Sequence, residues 1–399
     1  MIASVSRWVL RSRWVLGAAA AAMFASGASA QTLRGVTDKE VIIGMHTDLS
    51  GPAAFYGVAV SQAARMRFDL INEQGGVQGR KIKLIVEDSQ FQVPRGVAAI
   101  NKLINRDKVF AILGGTGSSI INAGWRDQSA ANVPNLFPIT AVRGMFEPLD
   151  RLKFALGTSF YDQVRAGMKY LVENGAPKAV CVFYEDTDFG VDVNEAVRDQ
   201  AKAMGLTVAD TVAVKPGDTD FTAPVTKLRQ SGCGLIAMAT IIRTTIIPIG
   251  TAKRMGWNDA VFLGTSSAYE YVVAAAPGGA TDGLYAGSGI VLPYAETMTP
   301  AVAEFAKVYK ERTRQDLNAG VIYGWVGADL TALGLERAGR NLTVDSFVKG
   351  LESIQGYRDI FGGPVLNFSA SDHRGGTATY LNRVQNGKWV RVVDQSLTY

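Results

Sequence analysis

The alternation of short apolar strands with longer helical patterns constrains this chain more than any other feature. Val41–Thr47, Ile82–Glu87 and Val109–Leu113 read as strands. Between and after them, Gly57–Asn72, Pro94–Asn105 and a segment from Ser118 or Ser119 to Ala131 read as helices, and Asn135–Pro138 opens another strand. The rhythm then restarts. Helices at Tyr161–Asn174, Val191–Met204, Phe221–Gln230 and Thr244–Met255 alternate with strands at Ala179–Tyr184, Thr207–Val214, Leu235–Thr240 and Ala260–Gly264. A strand at Leu284–Val291 and helices at Pro300–Thr313 and Tyr323–Ala338 follow, and Thr377–Val393 alternates as an antiparallel pair would. This order predicts an α/β fold of parallel sheets with helices on both faces and right-handed crossovers. A chain of 399 residues exceeds the ~250–300 at which one core divides, so two doubly wound lobes are expected.

Within that order, Ile112–Ser119 (Ile-Leu-Gly-Gly-Thr-Gly-Ser-Ser) is the first candidate site. A strand that ends in a glycine and hydroxyl turn and opens a helix aims backbone N–H groups at whatever lies above it. The helix N-terminus adds partial positive charge, which suits a carboxylate or phosphate. In open α/β sheets this carboxyl edge is where ligands bind. The stretch is equally compatible with a plain tight turn.

The first thirty residues read as an export leader. Arg7, Arg11 and Arg13 precede the apolar run Trp14–Ala25, and Ala28-Ser29-Ala30 forms a cleavage site, so the mature chain is expected to start at Gln31. No second apolar segment is long enough to span a bilayer, and a soluble periplasmic product is expected. Losing three arginines and no acid lowers the formal net charge from +5 to +2. The remaining basic residues are scattered, which argues against a nucleic-acid partner.

Of the two cysteines, Cys181 lies within the predicted strand Ala179–Tyr184 and Cys233 just before the next, Leu235–Thr240, a stagger of about three residues if the strands are parallel neighbours. At strand rise that is roughly 10 Å, beyond disulfide reach, so two buried free thiols are expected. The histidines are His46 and His373 only, and no cluster with metal-ligand spacing exists. No metal or cofactor is expected.

Several motifs resemble a known family. Ser50-Gly51-Pro52-Ala53-Ala54-Phe55-Tyr56-Gly57 follows the first strand; Ile71-Asn72-Glu73-Gln74-Gly75-Gly76-Val77-Gln78-Gly79-Arg80 precedes the second; Phe183-Tyr184-Glu185-Asp186 and Phe189-Gly190 follow the strand opening the second half. With these the chain resembles the periplasmic solute-binding proteins of the leucine/isoleucine/valine type, which feed ATP-driven importers. The resemblance implies two lobes joined by three hinge crossovers, with residues 31–157 plus 284–362 in lobe one and 158–283 plus 363–399 in lobe two. It also implies a small-molecule ligand enclosed between the lobes by hinge closure, permease subunits of an ABC importer as partners, and a monomer.

The resemblance carries the ligand's carboxylate to Ser118, with Thr116 and Ser119 beside it, and to Thr140 and Ala141 in a second turn. Tyr56 matches an aromatic covering the ligand, and Phe189, with Phe160 nearby, an aromatic on the opposite lobe. Phe55, Tyr161, Tyr269, Tyr271, Tyr323 and Trp325 also fall near predicted strand ends or helix starts, as cavity or core.

After Ala260–Gly264, where amino-acid binders place an acid for the ligand's ammonium, the chain has Thr265-Ser266-Ser267, and Ile241-Ile242-Arg243 stands where an aromatic is expected. Ser266 supplies no charge, and a buried ammonium without a carboxylate is costly. Arg243 reads either as a bidentate grip on an anion or as a solvated arginine at a helix start. Glu270 is an alternative ammonium partner. The sequence therefore points first to capture of a small aromatic or apolar carboxylate lacking a free amine. A branched-chain or related amino acid, or a periplasmic sensor role, are the alternatives. No enzyme motif is found: the glycine turn lacks a P-loop lysine and the third glycine of a dinucleotide fingerprint, and no nucleophile elbow is present.

Overall fold

The computed structural model describes residues 33–399, and the expected leader lies outside them. The first sheet is built from β1 (Glu40–Thr47), β2 (Lys81–Asp88), β3 (Ala111–Leu113), β4 (Asn135–Leu136) and β5 (Lys153–Phe154), in the order β2-β1-β3-β4-β5. All its pairings are parallel, with Ile43 of β1 opposite Leu84 on one side and Ala111 on the other. Helices α1 (Ala54–Glu73), α2 (Val93–Asn105) and α3 (Ser118–Ala130) connect these strands.

Helix α4 (Phe160–Glu173) begins the second lobe. It is followed by β6 (Val180–Glu185), α5 (Asp188–Ala203), β7 (Val208–Val214), α6 (Thr222–Gln230), β8 (Leu235–Ala239), α7 (Ile242–Arg254), β9 (Val261–Gly264), the short α8 (Tyr271–Ala274) and β10 (Tyr285–Ser288). The chain then returns to the first lobe as α9 (Pro300–Thr313), α10 (Ala319–Ala338) and α11 (Val344–Glu352). It ends in the second lobe as β11 (Tyr380–Gln385) and β12 (Lys388–Arg391). The second sheet has the order β12-β11-β10-β9-β8-β6-β7, parallel except for the β10–β11–β12 pairings. The central parallel strands are buried on both faces, as β8 is throughout, which explains their continuous apolar runs, whereas the edge strands β2 and β7 carry exposed residues.

Local chemistry sets the helix starts. The side chains of Ser159, Thr187, Thr299, Asn318 and Thr343 each accept an N–H from the first turn of α4, α5, α9, α10 and α11, satisfying donors a helix leaves orphaned. Helices α1, α5, α7 and α10 begin two to four residues before their predicted starts, so several residues read as loop belong to first turns.

Two expectations are corrected. Cys181 and Cys233 form a disulfide, with Cα atoms 5.7 Å apart. The stagger assumed that the β8 strand continues extended through Cys233. Instead the chain turns at Gly232, whose φ is +71°, and both Gly234 and Leu235 N–H donate to Ala179 O, bringing Cys233 beside β6. The lobe division at 284 also shifts: β10 pairs with β9 and β11 in the second sheet. Likewise residues 363–376 pack on the first lobe, where Phe368 meets Phe137 and Phe154 and His373 O and Arg374 O accept from Ala155 and Gly157. The three crossings meet around Thr158, Gly289 and Ala378, because a Cβ on Gly289 would lie 3.1 Å from the Thr158 methyl and 3.5 Å from Ala378 O. A buried hydrogen bond, Thr158 Oγ1 to Thr379 Oγ1 at 2.7 Å, ties two of them.

Candidate functional site

A cavity of about 310 Å³ lies between the lobes, at the carboxyl ends of β3, β4, β6, β8 and β9. Two glycines shape its aromatic walls. A Cβ on Gly57 would fall 1.9 Å from Asp48 O, and one on Gly190 would fall 1.8 Å from Glu185 O. Only glycine lets the first turns of α1 and α5 rest on the strand ends, and this seats the preceding residues, Tyr56 and Phe189, in the cavity wall.

On the first-lobe wall, Ser118 Oγ and Thr140 Oγ1 are 2.6 Å apart. Ser118 opens α3, whose first turn has no side-chain cap, an arrangement whose N–H groups and dipole suit an anion. Thr116 lies in the same wall, but its hydroxyl is hydrogen-bonded to Thr47 at 2.7 Å. Ala141 lines the cavity and its carbonyl accepts the Phe160 N–H at 2.9 Å.

On the second-lobe wall, the rings of Phe160 and Phe189 meet at 4.6 Å between centroids. Ile241 packs with Ala53 and Tyr56 in a small cluster that spans the cleft. Tyr56 hydroxyl donates to Ser267 O at 2.5 Å, Asn122 and Ser119 bond Asp188, and Arg143 pairs with Asp192 at 2.9 Å. The lobes are thus closed over the cavity. Gln163 links wall and hinge: its Oε1 accepts the Ser266 N–H at 2.7 Å and its Nε2 donates to Thr158 O at 3.1 Å.

Of the residues expected at the site, Tyr56, Thr116, Ser118, Ser119, Thr140, Ala141, Phe160, Phe189, Ile241 and Ser266 line this cavity. Arg243 does not. It is exposed, because α7 starts at Ile242 and the helical turn leaves Ile241 in the wall and Arg243 in solvent. Glu270 is also excluded from the lining. It is fully buried, and both its oxygens accept the Ala319 N–H at 3.2 Å at the start of α10. Burial pushes its carboxyl up to about 8.

Sequence reasoning missed Glu185, Gln163 and Thr158 as lining residues, and Tyr323, read as cavity or core, also lines the cavity. Glu185 is 1% exposed. Its Oε1 accepts from Thr244 Oγ1 at 2.6 Å and from the Ile241 N–H at 3.3 Å. Burial pushes its carboxyl up to about 7 against those two donors. The signal was available: an acid closing a buried parallel strand stands at the edge where ligands bind. The lining contains the carboxyls of Glu185 and Asp186 and no Lys, Arg or His.

A family model described as periplasmic binding protein matches residues 40–388. A leucine-, isoleucine-, valine-, threonine- and alanine-binding protein of Pseudomonas aeruginosa is 24% identical over 320 residues, 80% of this chain and 83% of the relative. A fatty acid ABC transporter substrate-binding protein from Thermomonospora curvata superposes with a TM-score of 0.80 at 25% identity, covering 91% of this chain and 93% of that one. A branched-chain amino acid ABC transporter protein from Thermus thermophilus with bound valine gives 0.82 at 18% identity, covering 91% and 98%. With two α/β lobes, three crossings and an enclosed cavity at the strand ends, the chain belongs to the periplasmic binding protein family.

Proposed function

We propose that this chain is the extracytoplasmic substrate-binding component of an ABC importer and that its ligand is a branched-chain or related amino acid. The observation that carries the reading is the Ser118–Thr140 hydroxyl pair on the uncapped start of α3, inside a closed interlobe cavity. Hydroxyls and N–H groups at a helix start suit a carboxylate. The walls of Tyr56, Phe160, Phe189 and Ile241 suit an apolar side chain. The names of the Pseudomonas and Thermus proteins point the same way.

An amine-free aromatic or fatty acid is the competing ligand, favoured by the apolar walls and by the Thermomonospora relative. Thermal melting with leucine, isoleucine, valine, benzoate and short fatty acids separates the two, since a ligand that binds only the folded protein raises its melting temperature. Shifts with the branched-chain amino acids are expected. A shift with benzoate or a fatty acid and none with any amino acid would sink the proposal.

A further inference from the structure

We infer that Glu185 is the ammonium-holding residue of the site and the residue by which it selects amino acids over amine-free acids; this rests on the carboxylate reading of the Ser118–Thr140 wall. Three observations support it. The turn after β9 carries Thr265, Ser266 and Ser267 and no acid, and the nearby acid Glu270 is spent on the start of α10. Glu185 lies in the cavity wall, almost wholly buried, on the lobe opposite the carboxylate cradle. Its hydrogen bonds from Thr244 and Ile241 both fall on Oε1, so the carboxyl is held in one orientation.

The charge balance follows from the lining. It holds carboxyls and no cationic side chain. An amine-free carboxylate would bring a second negative charge into the cavity with Glu185, whereas a zwitterion brings its own counter-charge. Like charges in one desolvated site hold a carboxyl protonated, and an ammonium beside it favours the ionised form. Glu270, buried and raised to about 8, stays mostly protonated between pH 6 and 7, so the change over that interval reports Glu185. Tyr56 of α1 and Tyr323 of α10 are both pushed up by burial. Asp186 and Arg243 are exposed. His46 is pushed down to about 4.

The test compares leucine with 4-methylpentanoate, the same side chain without the amine, by calorimetry between pH 6 and 8. In the native protein, leucine affinity should fall about fivefold from pH 7 to pH 6, following protonation of Glu185, while 4-methylpentanoate gains. Glu185→Gln should lose leucine affinity about 30-fold or more, as truncating a buried charge pair does, and bind 4-methylpentanoate at least as well as the native protein. The native pH profile needs no variant, so a Glu185→Gln chain that fails to fold leaves the test intact. Native binding of leucine with a flat profile, or unchanged leucine affinity in Glu185→Gln, overturns the role of Glu185 and leaves the amino-acid reading standing. Native binding of 4-methylpentanoate with no binding of leucine overturns both.

Discussion

Ser119 and Asp188 bond each other twice across the cleft: Ser119 Oγ donates to Asp188 Oδ1 at 2.9 Å, and the Asp188 N–H donates back to Ser119 Oγ at 3.1 Å. Ser119 is in the first turn of α3 and Asp188 in the first turn of α5, so the starts of two helices from different lobes are joined. Farther along α5, Asp192 and Glu195 pair with Arg143 of the first lobe. The acids at 188, 192 and 195 follow helical spacing and form one stripe facing the other lobe.

Removing this junction loosens closure. Asp188→Ala is expected to weaken ligand affinity about three- to tenfold, since hydrogen bonds to a charged group at an exposed site are worth on the order of 1 kcal/mol. The loss should lie in faster ligand release. Stopped-flow dissociation checks this, and an unchanged release rate would rule it out.

Gly190→Ala tests the seating of α5. The added carbon would fall 1.8 Å from Glu185 O and 2.7 Å from the Tyr184 ring, and backbone cannot yield cheaply. Overpacking of this kind costs about 1–3 kcal/mol. The variant should melt lower and bind more weakly, because the helix start carrying Phe189 shifts. A native-like melting temperature together with native affinity would contradict the contact.

The Cys181–Cys233 bridge spans 52 residues, and a closed loop of that size stabilises by about 4 kcal/mol in the chain-entropy account. Reduction, or replacement of both cysteines by alanine, should lower the urea midpoint accordingly. Ligand affinity should stay close to native, because neither cysteine lines the cavity. Identical midpoints with and without reductant would count against the bridge.

The unliganded protein should lose stability as pH rises from 7 to 8. Glu270 is raised to about 8, so the folded state holds its proton more tightly than the unfolded chain does. Its contribution is full below the ordinary carboxylate range and is lost as pH rises through about 8. Glu185, raised to about 7, acts in the same direction at lower pH. His46, lowered to about 4, acts oppositely, costing stability as pH falls below about 6.5. Between pH 7 and 8 Glu270 dominates these three. Glu270→Gln keeps an oxygen to accept the Ala319 N–H and should flatten the melting temperature over that interval. An equally steep slope in the variant would exclude Glu270 as the cause.

The sequence disclosed the fold because its determinants are local and periodic. Apolar runs such as Leu235–Ala239 and glycine stops mark each strand and helix. It disclosed the first-lobe wall because Gly114–Ser119 is one contiguous stretch. Glu185 and Gln163 were missed as site residues because they enter the cavity from separate elements, and Arg243 was misplaced by the two-residue error in the start of α7. The disulfide escaped because a single turn at Gly232 defeats a count of residues along a straight strand. Helix α11 was overlooked although Val344, Phe347, Val348 and Leu351 keep helical spacing behind a Thr343–Ser346 capping box.

The three crossings also dictate the order in which this molecule can be completed. The second sheet takes strands from residues 180–264, 285–288 and 380–391, and the first lobe needs residues 300–352 to cover α1 through α10. Trp389, ten residues from the end, donates its indole N–H to Glu270 O at 2.8 Å, closing on a residue synthesised long before it. The second sheet is not finished until β11 and β12, its last strands, arrive. A truncation near the C-terminus therefore damages the early-made second sheet at its edge while leaving every residue of the cavity lining, which ends at Tyr323, in the chain.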